Sequence, residues 1–378
     1  MDNKMVQLGT LISQAKTIRC GTGEYPILSM TMHDGLIFQE DKFKKVVASK
    51  DTSDYKVVYR NQLVISFPID EGVLAAQRIT DAGIVSPAYG IWDIDSNQVL
   101  PEYLEYALRC ERAIDYYKAK LRGSTARRRS LPTPTLLEFT VPLPDIKTQE
   151  HILDVIHKTK DIISNQKVEL QTLDNLIKAR FVEMFGDPLT ITKEKKRLSD
   201  IGRIFTGNTP TMKNPEYYDS DDIPFVKPGD IAERGVTRIK RVESFISETA
   251  RNAARIIPPN AVLVTCIGTI GKIGITTQEC CCNQQINHIV PHNDIDSIYL
   301  AYCISFFKDV LADMANAPVV PIINKTQFSA IEIPIAENGK QIQFSEFVAQ
   351  VDKSKFVVQK ALNKAQRLFD SLMQKYFG

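Results

Sequence analysis

The sequence lacks the features that mark membrane, secreted and disordered proteins. No run of 18 apolar residues occurs among its 378 residues, and the longest apolar stretch, around residues 261–275, already contains Lys272, so no transmembrane helix is expected. No basic segment followed by an apolar block opens the chain, which argues against a secretory signal. A content of 43% hydrophobic and 24% charged residues is typical of a globular protein, here with room for roughly two or three domains.

Paired cysteines and a surplus of one charge are missing as well. The chain has seven cysteines, and three of them are consecutive at positions 280–282, which is poor geometry for a disulfide framework. A reducing cytoplasm is the simplest interpretation of this pattern. The 47 basic and 45 acidic residues leave a net charge of only +2. Composition therefore permits DNA binding without indicating it.

Motifs for catalysis, nucleotides and metals are absent or incomplete. Residues 268–272 end in Gly-Lys like a phosphate-binding loop, but Ile273 stands where Ser or Thr would hold magnesium, so we expect a glycine-rich turn between strands. Residues 280–282, His288 and His292 are clustered, yet adjacent cysteines on a strand point to opposite faces and no Cys-x-x-Cys pair accompanies them, which favours buried thiols over zinc. No Gly-x-Ser-x-Gly elbow and no methyltransferase motif occurs. We predict a non-catalytic chain with no metal and no cofactor of its own.

The two halves of the chain match each other in sequence. When it is shifted by 192 residues, the end of the first half falls on the end of the second half without a gap. The coinciding residues are Gln149 and Gln341, Leu170 and Leu362, Leu176 and Leu368, and Phe185-Gly186 and Phe377-Gly378. An offset so close to half the chain length indicates a tandem duplication.

The two matched segments predict long helices that pair with each other. In each segment apolar residues recur every 3.5 residues on average for about five heptads, the pattern of a coiled coil. The first helix is expected to start near Asp145 or Thr148 and to stop at Gly186, and the second to start near Asn338. A single such stripe would favour a helix packed on its own domain, but two at the same repeat position favour a helix pair. The predicted helix-pairing residues are Ile152, Ile156, Ile163, Leu170, Leu173 and Ile177 in the first helix, and Phe344, Val348, Val351, Val358, Leu362 and Phe369 in the second.

The regions that precede the two helices share a skeleton although most of their residues differ. Each contains an asparagine followed by a strand-like run, then a Tyr-Leu-x-Tyr segment, then a closing strand that ends in proline. These landmarks are Asn61 and Asn260, Tyr103 and Tyr299, and Pro142 and Pro334. We predict an α+β fold in which two related β-rich globules with short helices are separated by two long antiparallel coiled-coil helices in a pseudo-twofold tandem repeat. The predicted boundaries are 1–142 and 187–334 for the globules, and 143–186 and 335–378 for the helices.

Each globule also carries a run of basic residues. Residues 118–129 contain six positive residues and no acid, and residues 227–255 contain seven basic against four acidic residues. One such run is usually a solvated surface, but one in each globule beside turn residues favours contact with DNA phosphates or bases. The candidate DNA-binding residues are Lys118, Lys120, Arg122, Arg127, Arg128 and Arg129 in the first globule, and Lys227, Arg234, Arg238, Lys240, Arg241 and Lys272 in the second.

Taken in order, these segments resemble a known family. The sequence globule–helix–globule–helix, with "VPLP" ahead of Gln149 and "IPIA" ahead of Gln341, resembles the specificity subunit of type I restriction–modification systems. So do "IVSPAYGIW" and "GSTARRRSL" in the first globule, and "NAVLVTCIGTIGKIG", "CNQQINHIVP" and "APVVPIIN" in the second. Each motif is weak alone, but their order and duplication cover essentially the whole chain and are specific.

The resemblance implies a reader of DNA. Each globule would be a target-recognition domain for one half of a split, asymmetric site in double-stranded DNA. The paired helices would act as a spacer and dock two methyltransferase subunits, which bring S-adenosylmethionine, and endonuclease or translocase subunits can join. Two alternatives remain open at this point: a duplicated coiled-coil adaptor without a nucleic-acid role, and an enzyme with an unfamiliar site.

Overall fold

The computed structural model describes residues 4–32, 34–42, 51–121, 131–192, 194–315 and 320–378, and these divide into two compact units. The first unit comprises Met1–Gln166 and Ala361–Gly378, and the second comprises Lys167–Lys360. Each unit therefore contains one globule together with part of each predicted long helix. The four-part division at residues 142, 186 and 334 stays a prediction.

Short strands and helices build the first globule. Its elements are β1 (Met5–Gln7), β2 (Ile12–Gln14), β3 (Leu28–Thr31), β4 (Gly35–Phe38), α1 (Gln39–Lys42), β5 (Lys56–Tyr59), β6 (Leu63–Ile65), β7 (Leu74–Ala76), β8 (Ala82–Val85), β9 (Gly90–Ile94), α2 (Pro101–Arg109), α3 (Glu111–Lys120), α4 (Thr133–Glu138) and β10 (Thr140–Pro142). Strands β2, β9, β6 and β7 form a four-stranded antiparallel sheet in that order. The first long helix, α5 (Ile146–Phe185), follows.

The second globule repeats this plan with one strand more in its main sheet. Its elements are β11 (Lys195–Arg197), α6 (Leu198–Ile201), β12 (Gly202–Thr206), β13 (Ile223–Val226), β14 (Val236–Ile239), β15 (Phe245–Ile246), β16 (Val262–Thr265), β17 (Ile273–Thr276), β18 (Cys281–Cys282), β19 (Ile286–Pro291), α7 (Ser297–Ser305), α8 (Lys308–Met314), α9 (Lys325–Ser329) and β20 (Glu332–Pro334). The sheet order is β12-β19-β16-β17-β14, in which the added strand β14 runs parallel to β17. The second long helix is α10 (Asn338–Phe377).

The landmarks of the repeat have the same structural role in both globules. Asn61 and Asn260 have φ angles of 69° and 64°, a left-handed conformation that asparagine tolerates better than most side chains, and each precedes a central strand. The Tyr103 hydroxyl donates to the carbonyl of Pro142 at 3.0 Å, and the Tyr299 hydroxyl donates to that of Pro334 at 2.9 Å. The pattern in the sequence therefore reflects equivalent packing of α2 on β10 in the first globule and of α7 on β20 in the second.

The long helices run antiparallel within each unit. In the second unit, an ion pair joins Asp174 of α5 to Lys355 of α10, and the rings of Phe181 and Phe344 lie 5.3 Å apart, so residue numbers rise along one helix as they fall along the other. In the first unit, Ile152 and Ile156 near the start of α5 share a core with Phe377 at the end of α10. Gly186, with φ of 85°, follows the last residue of α5. The α+β fold with two long antiparallel helices is therefore confirmed.

Most of the predicted helix-pairing residues are buried. The buried ones are Ile152, Ile156, Ile163, Ile177, Phe344, Val348, Val351 and Val358, and the half-buried ones are Leu170, Leu173, Leu362 and Phe369. In the second unit, Ile177 of α5 and Val348 of α10 belong to the same core as the main sheet. Among the described helices, none combines the length and the apolar content needed to cross a lipid bilayer.

Candidate nucleic-acid interface

Several loops meet at one end of the main sheet in the second unit. Strand β12 ends at Thr206 beside the start of β19, and β16 ends at Thr265 beside the same start. Because neighbouring antiparallel strands end and begin at the same edge, the connecting segments lie side by side. We call residues 207–214, 266–272 and 283–285 the sheet-end loops of the second unit. An added Cβ at Gly207 would lie 2.3 Å from the carbonyl oxygen of Asn283, so glycine allows two of these loops to touch.

A polar groove opens among these loops. Lys227, which follows β13, lines it together with Ser244, Gly268, Thr269 and Gln285. The exposed Lys227 ammonium donates to the Ser244 hydroxyl at 2.7 Å, which holds the charge at the rim. Gly268 has a φ of 75° and nothing lies within 4 Å of an added Cβ, so the predicted glycine-rich turn is present and faces open space. Two carboxylates, Asp230 and Glu243, line the groove as well, and Asp230 accepts the backbone N–H groups of Lys227 and Glu243. The ammonium, hydroxyl and amide groups of the groove suit the base edges of DNA.

Two of the candidate DNA-binding residues of the second globule are engaged inside the protein. The Lys272 side chain is only 10% exposed, and its ammonium lies 2.6 Å from the Glu233 carboxylate and 3.3 Å from the carbonyl of Pro228. Arg238 of β14 lies 3.1 Å from the carboxylate of Asp352 on α10. These contacts favour a role for both side chains in holding the globule together.

The other four candidates of that globule are exposed, but at different ends of the sheet. Lys227 and Arg234 lie near the sheet-end loops, since Arg234 precedes the start of β14 and β14 runs parallel to β17. Lys240 and Arg241 follow the far end of β14 and line a separate, more apolar groove. The structure therefore does not bring the six residues into one patch.

The first unit has an equivalent sheet end with different chemistry. There β6 ends at Ile65, paired with Gly90 at the start of β9 and with Leu74 at the start of β7. The adjoining segments are residues 66–73, where Phe67 is 56% exposed, and residues 86–89 of the "IVSPAYGIW" motif. The same position on the scaffold thus carries an exposed aromatic ring near Asp70 and Glu71 in one globule, and a groove with Lys227 and Gln285 in the other.

The basic run of the first globule is only partly described. Lys118 and Lys120 are exposed in the last turn of α3. Arg122, Arg127, Arg128 and Arg129, and with them most of "GSTARRRSL", lie outside the described residues. The "APVVPIIN" motif also lies partly outside, because residues 316–319 are not described.

Sequence reasoning missed the uncharged polar residues of the sheet-end loops. Gln284 and Gln285 stand in the turn between β18 and β19, and the Thr209 hydroxyl of the neighbouring loop donates to Oε1 of Gln284 at 2.8 Å. A search for charged runs passes over glutamine and threonine. The available signal was the "CNQQINHIVP" motif, which contains both glutamines.

The cysteine and histidine cluster is part of the core. Cys280 and Cys282 pack in one hydrophobic cluster and Cys281 in another, and all seven thiols are free and buried, as predicted. Burial raises the pKa values of the Cys280 and Cys281 thiols to about 12. Burial, together with the positive charges of Arg255 and Lys325, lowers the pKa of His288 to about 4. Within the described ranges, no three histidine, cysteine or acidic side chains are placed to hold a metal ion.

Comparisons with known proteins point to one family. Residues 191–365 match the family model of the type I restriction modification DNA specificity domain. The chain is 24% identical over 337 residues to the type I restriction enzyme HindI specificity subunit of Haemophilus influenzae, covering 67% of this chain and 71% of that protein. It is 24% identical over 276 residues to the EcoR124I/EcoR124II specificity subunit of Escherichia coli, covering 68% and 65%. Over 161 residues it is 29% identical to the MjaIX specificity subunit of Methanocaldococcus jannaschii, covering 42% and 37%.

Solved structures share the fold. A chain from a structural study of assembly and conformational transition in the type I R-M system superimposes with a TM-score of 0.57 at 15% identity, covering 100% of this chain and 98% of that one. The type I restriction-modification S subunit of M. genitalium gives a TM-score of 0.55 at 13% identity, covering 100% and 97%. At such low identities these likenesses establish the fold alone.

Proposed function

We propose that this chain, a specificity subunit of the type I restriction–modification family, reads a split, asymmetric DNA site with its two globules. One observation carries the proposal: the main sheets have the same strand order, while the loops at the same sheet end differ in chemistry. A common scaffold with different loops is what two readers of two different sequences require. The asymmetry of the site then follows from the divergence of the two globules.

Exposed basic residues near these loops would supply the phosphate contacts. Lys227 and Arg234 in the second globule and Lys118 and Lys120 in the first are exposed. Lys240 and Arg241 remain candidates at the far end of the second sheet, and Arg122, Arg127, Arg128 and Arg129 remain candidates on sequence grounds. With a net charge of +2, the chain would depend on phosphate contacts from its partners for part of its affinity.

The subunit recognises DNA in complex with other restriction–modification subunits. In our proposal two methyltransferase subunits dock on the paired helices, bring S-adenosylmethionine and carry out methyl transfer, while endonuclease or translocase subunits can join. The chain itself contributes recognition and no catalytic group. Support comes from α5 and α10, where Leu176 and Leu368, which occupy the same repeat position, are 47% and 50% exposed.

Binding to DNA by the chain with a co-expressed methyltransferase subunit tests the proposal. Fluorescence anisotropy should show tight binding to a subset of DNA sequences and weaker, salt-dependent binding to the rest. An adaptor without a nucleic-acid role would bind the methyltransferase subunit but would show no preference among DNA sequences. That outcome would overturn the proposal.

The first basic run gives a sharper test. Replacing Arg127, Arg128 and Arg129 together by alanine should weaken binding to all sequences alike and reduce the dependence on salt, because phosphate contacts release counterions. Arg197→Ala, which removes an exposed arginine paired with Glu332, is the matched control and should leave binding unchanged. Unaltered affinity and salt slope in the triple variant would assign the run to solvent or to a protein partner.

A further inference from the structure

The turn at residues 283–285 is held rigidly in place. The carbonyl of Val226 accepts the N–H of Asn283 at 3.3 Å, and the N–H of Cys266 donates to the carbonyl of Gln285 at 2.8 Å. The N–H of Ile286 donates back to the carbonyl of Asn283 at 3.2 Å, which closes the turn. Backbone hydrogen bonds to the last residue of β13 and to the residue that follows β16 thus fix the positions from which Gln284 and Gln285 project.

Side-chain hydrogen bonds fix the orientation of the Gln285 amide. The Asn283 side-chain oxygen accepts the N–H of Gln285 at 3.1 Å, so its Nδ2 is the atom that faces Gln285 and donates to Oε1 at 2.8 Å. The carbonyl end of the Gln285 amide is therefore used inside the turn, and its Nε2 remains to donate elsewhere. Because the Thr209 hydroxyl donates to Oε1 of Gln284, the same holds there.

The two amides differ in their surroundings. Gln284 is exposed, and Gln285 is half-buried in the wall of the groove that Lys227 and Thr269 also line. Within the described part of the chain, neither Nε2 has a hydrogen-bond partner. Two adjacent N–H donors beside the Lys227 ammonium complement hydrogen-bond acceptors, and of the two carboxylates that also line the groove, Asp230 accepts the backbone N–H groups of Lys227 and Glu243.

We infer that Gln284 and Gln285 are specificity-determining residues for the second half-site, where their Nε2 groups donate to acceptor atoms on base edges. This inference rests on the proposed function. In the major groove the acceptors are O6 and N7 of guanine, O4 of thymine and N7 of adenine, whereas the amino groups of cytosine and adenine are donors. Of the four bases, guanine and thymine present acceptors without an amino group there and suit these donors best, while cytosine suits them least.

Glutamine-to-glutamate substitutions test this chemistry without disturbing the turn. In Gln284→Glu and Gln285→Glu a carboxylate oxygen still accepts the hydrogen bond from Thr209 or Asn283, but the outward N–H donors become an acceptor. The base read by each residue should shift from guanine or thymine toward cytosine or adenine. We expect the preference to change by about tenfold at one position of the second half-site for each variant.

The control is Gln7→Glu, which makes the same charge change on an exposed glutamine of β1, a strand that pairs with β10 outside the main sheet. The measurement is sequencing of DNA bound from a randomised library by the chain assembled with its methyltransferase subunit, normalised to total binding so that a general loss of affinity cancels. Thermal unfolding of each variant confirms that it is folded.

The outcomes separate this inference from the proposed function. If both glutamate variants select the same bases as the original protein at every position, as Gln7→Glu should, the inference is overturned and the proposed function stands. A change confined to the first half-site would also overturn it. If the original complex shows no preference among sequences, the proposed function and the inference fall together.

Discussion

The two globules are alike where they meet a long helix and unlike at the end of the main sheet. At the helix, Gln149 and Gln341 are fully buried, and each side-chain amide makes three hydrogen bonds to the backbone. Gln149 accepts from the N–H of Leu100 at 2.9 Å and donates to the carbonyls of Gln98 and Pro144 at 3.0 and 2.8 Å. In the same way, Gln341 accepts from the N–H of Asp296 at 2.8 Å and donates to the carbonyls of Asp294 and Ala336 at 3.4 and 2.7 Å. We call this arrangement the glutamine tie.

At the sheet end, by contrast, the two globules differ. An exposed Phe67 in the first globule occupies the position that the groove of Gln285 and Lys227 occupies in the second. The difference follows from burial. A buried amide that satisfies three backbone groups cannot be exchanged without a large loss of stability, whereas exposed loop residues can change at little cost. Duplication therefore preserves the tie and lets the surfaces at the two sheet ends diverge.

The largest effect is expected from breaking the tie. Gln149→Leu and Gln341→Leu should each lower the free energy of unfolding by about 3 to 4 kcal/mol, because three backbone groups lose their partners in a buried place. Urea unfolding of the intact chain, followed by circular dichroism, measures the loss. For Gln149→Leu, fluorescence from Trp92, the single tryptophan, reports on the first unit.

Gln171→Leu on α5 and Gln350→Leu on α10 replace exposed glutamines and should change stability by less than about 0.5 kcal/mol. A large loss in only one of the two tie variants would show that the ties are not energetically equivalent, despite their matching hydrogen bonds.

A smaller effect is expected from pH, and in the second globule only. His288 of β19 pairs with Leu263, and the corresponding position of the first sheet, Ile91 opposite Val64, is apolar. The unfolded chain takes up a proton near pH 6.5, whereas the folded chain does so only near its lowered pKa of about 4. Stability should therefore fall as the pH drops from 6.5 to 4, by at most about 3 kcal/mol.

His288→Ile, which installs the residue of the first globule, should flatten this part of the stability profile. The exposed His292 offers a control, since His292→Gln should leave the slope in place. The urea concentration at the midpoint of unfolding, measured at several pH values, tests this prediction. If stability changed equally with pH in the presence and absence of His288, this histidine would not be the cause.

The smallest effect concerns an ion pair present in one unit alone. Lys355 and Asp174, each 22% exposed, pair in the second unit, while their repeat equivalents, Ile163 and Gln366, are uncharged. Lys355→Ile should cost about 1 to 2 kcal/mol because it leaves Asp174 partly buried without its partner. The double variant Lys355→Ile with Asp174→Gln should recover most of this loss. Equal stability of the single and double variants would show that the pair contributes no coupling.

Much of the architecture could be predicted from the sequence because it depends on periodicity and repetition. The 3.5-residue spacing of apolar residues and the offset of 192 residues are visible without a structure, and together they indicate two long paired helices. Likewise, the place of Asn61 and Asn260 ahead of a strand-like run predicted equivalent strands in two globules. Their left-handed backbone became visible only in the structure.

The candidate site was predicted less completely because charge is an incomplete guide to it. Lys272 and Arg238 look like DNA-binding residues in a basic run, but folding brings Glu233 and Asp352 against them from distant parts of the chain. The sequence around Lys272 and Arg238 does not indicate these distant ion-pair partners. Gln285 is uncharged, so a search for basic residues does not find it. The role that we infer for it depends on the strand order, which places it beside Lys227.

The sequence by itself therefore determined the duplication, the long helices and the resemblance to type I specificity subunits, since each of these rests on patterns that lie along the chain. Only the tertiary structure decided which polar residues brace the interior and which face a groove. A side chain's exposure and its hydrogen-bond partners are set by residues far away in the sequence, and the cost of leaving a buried polar group unpaired makes those distant partners obligatory.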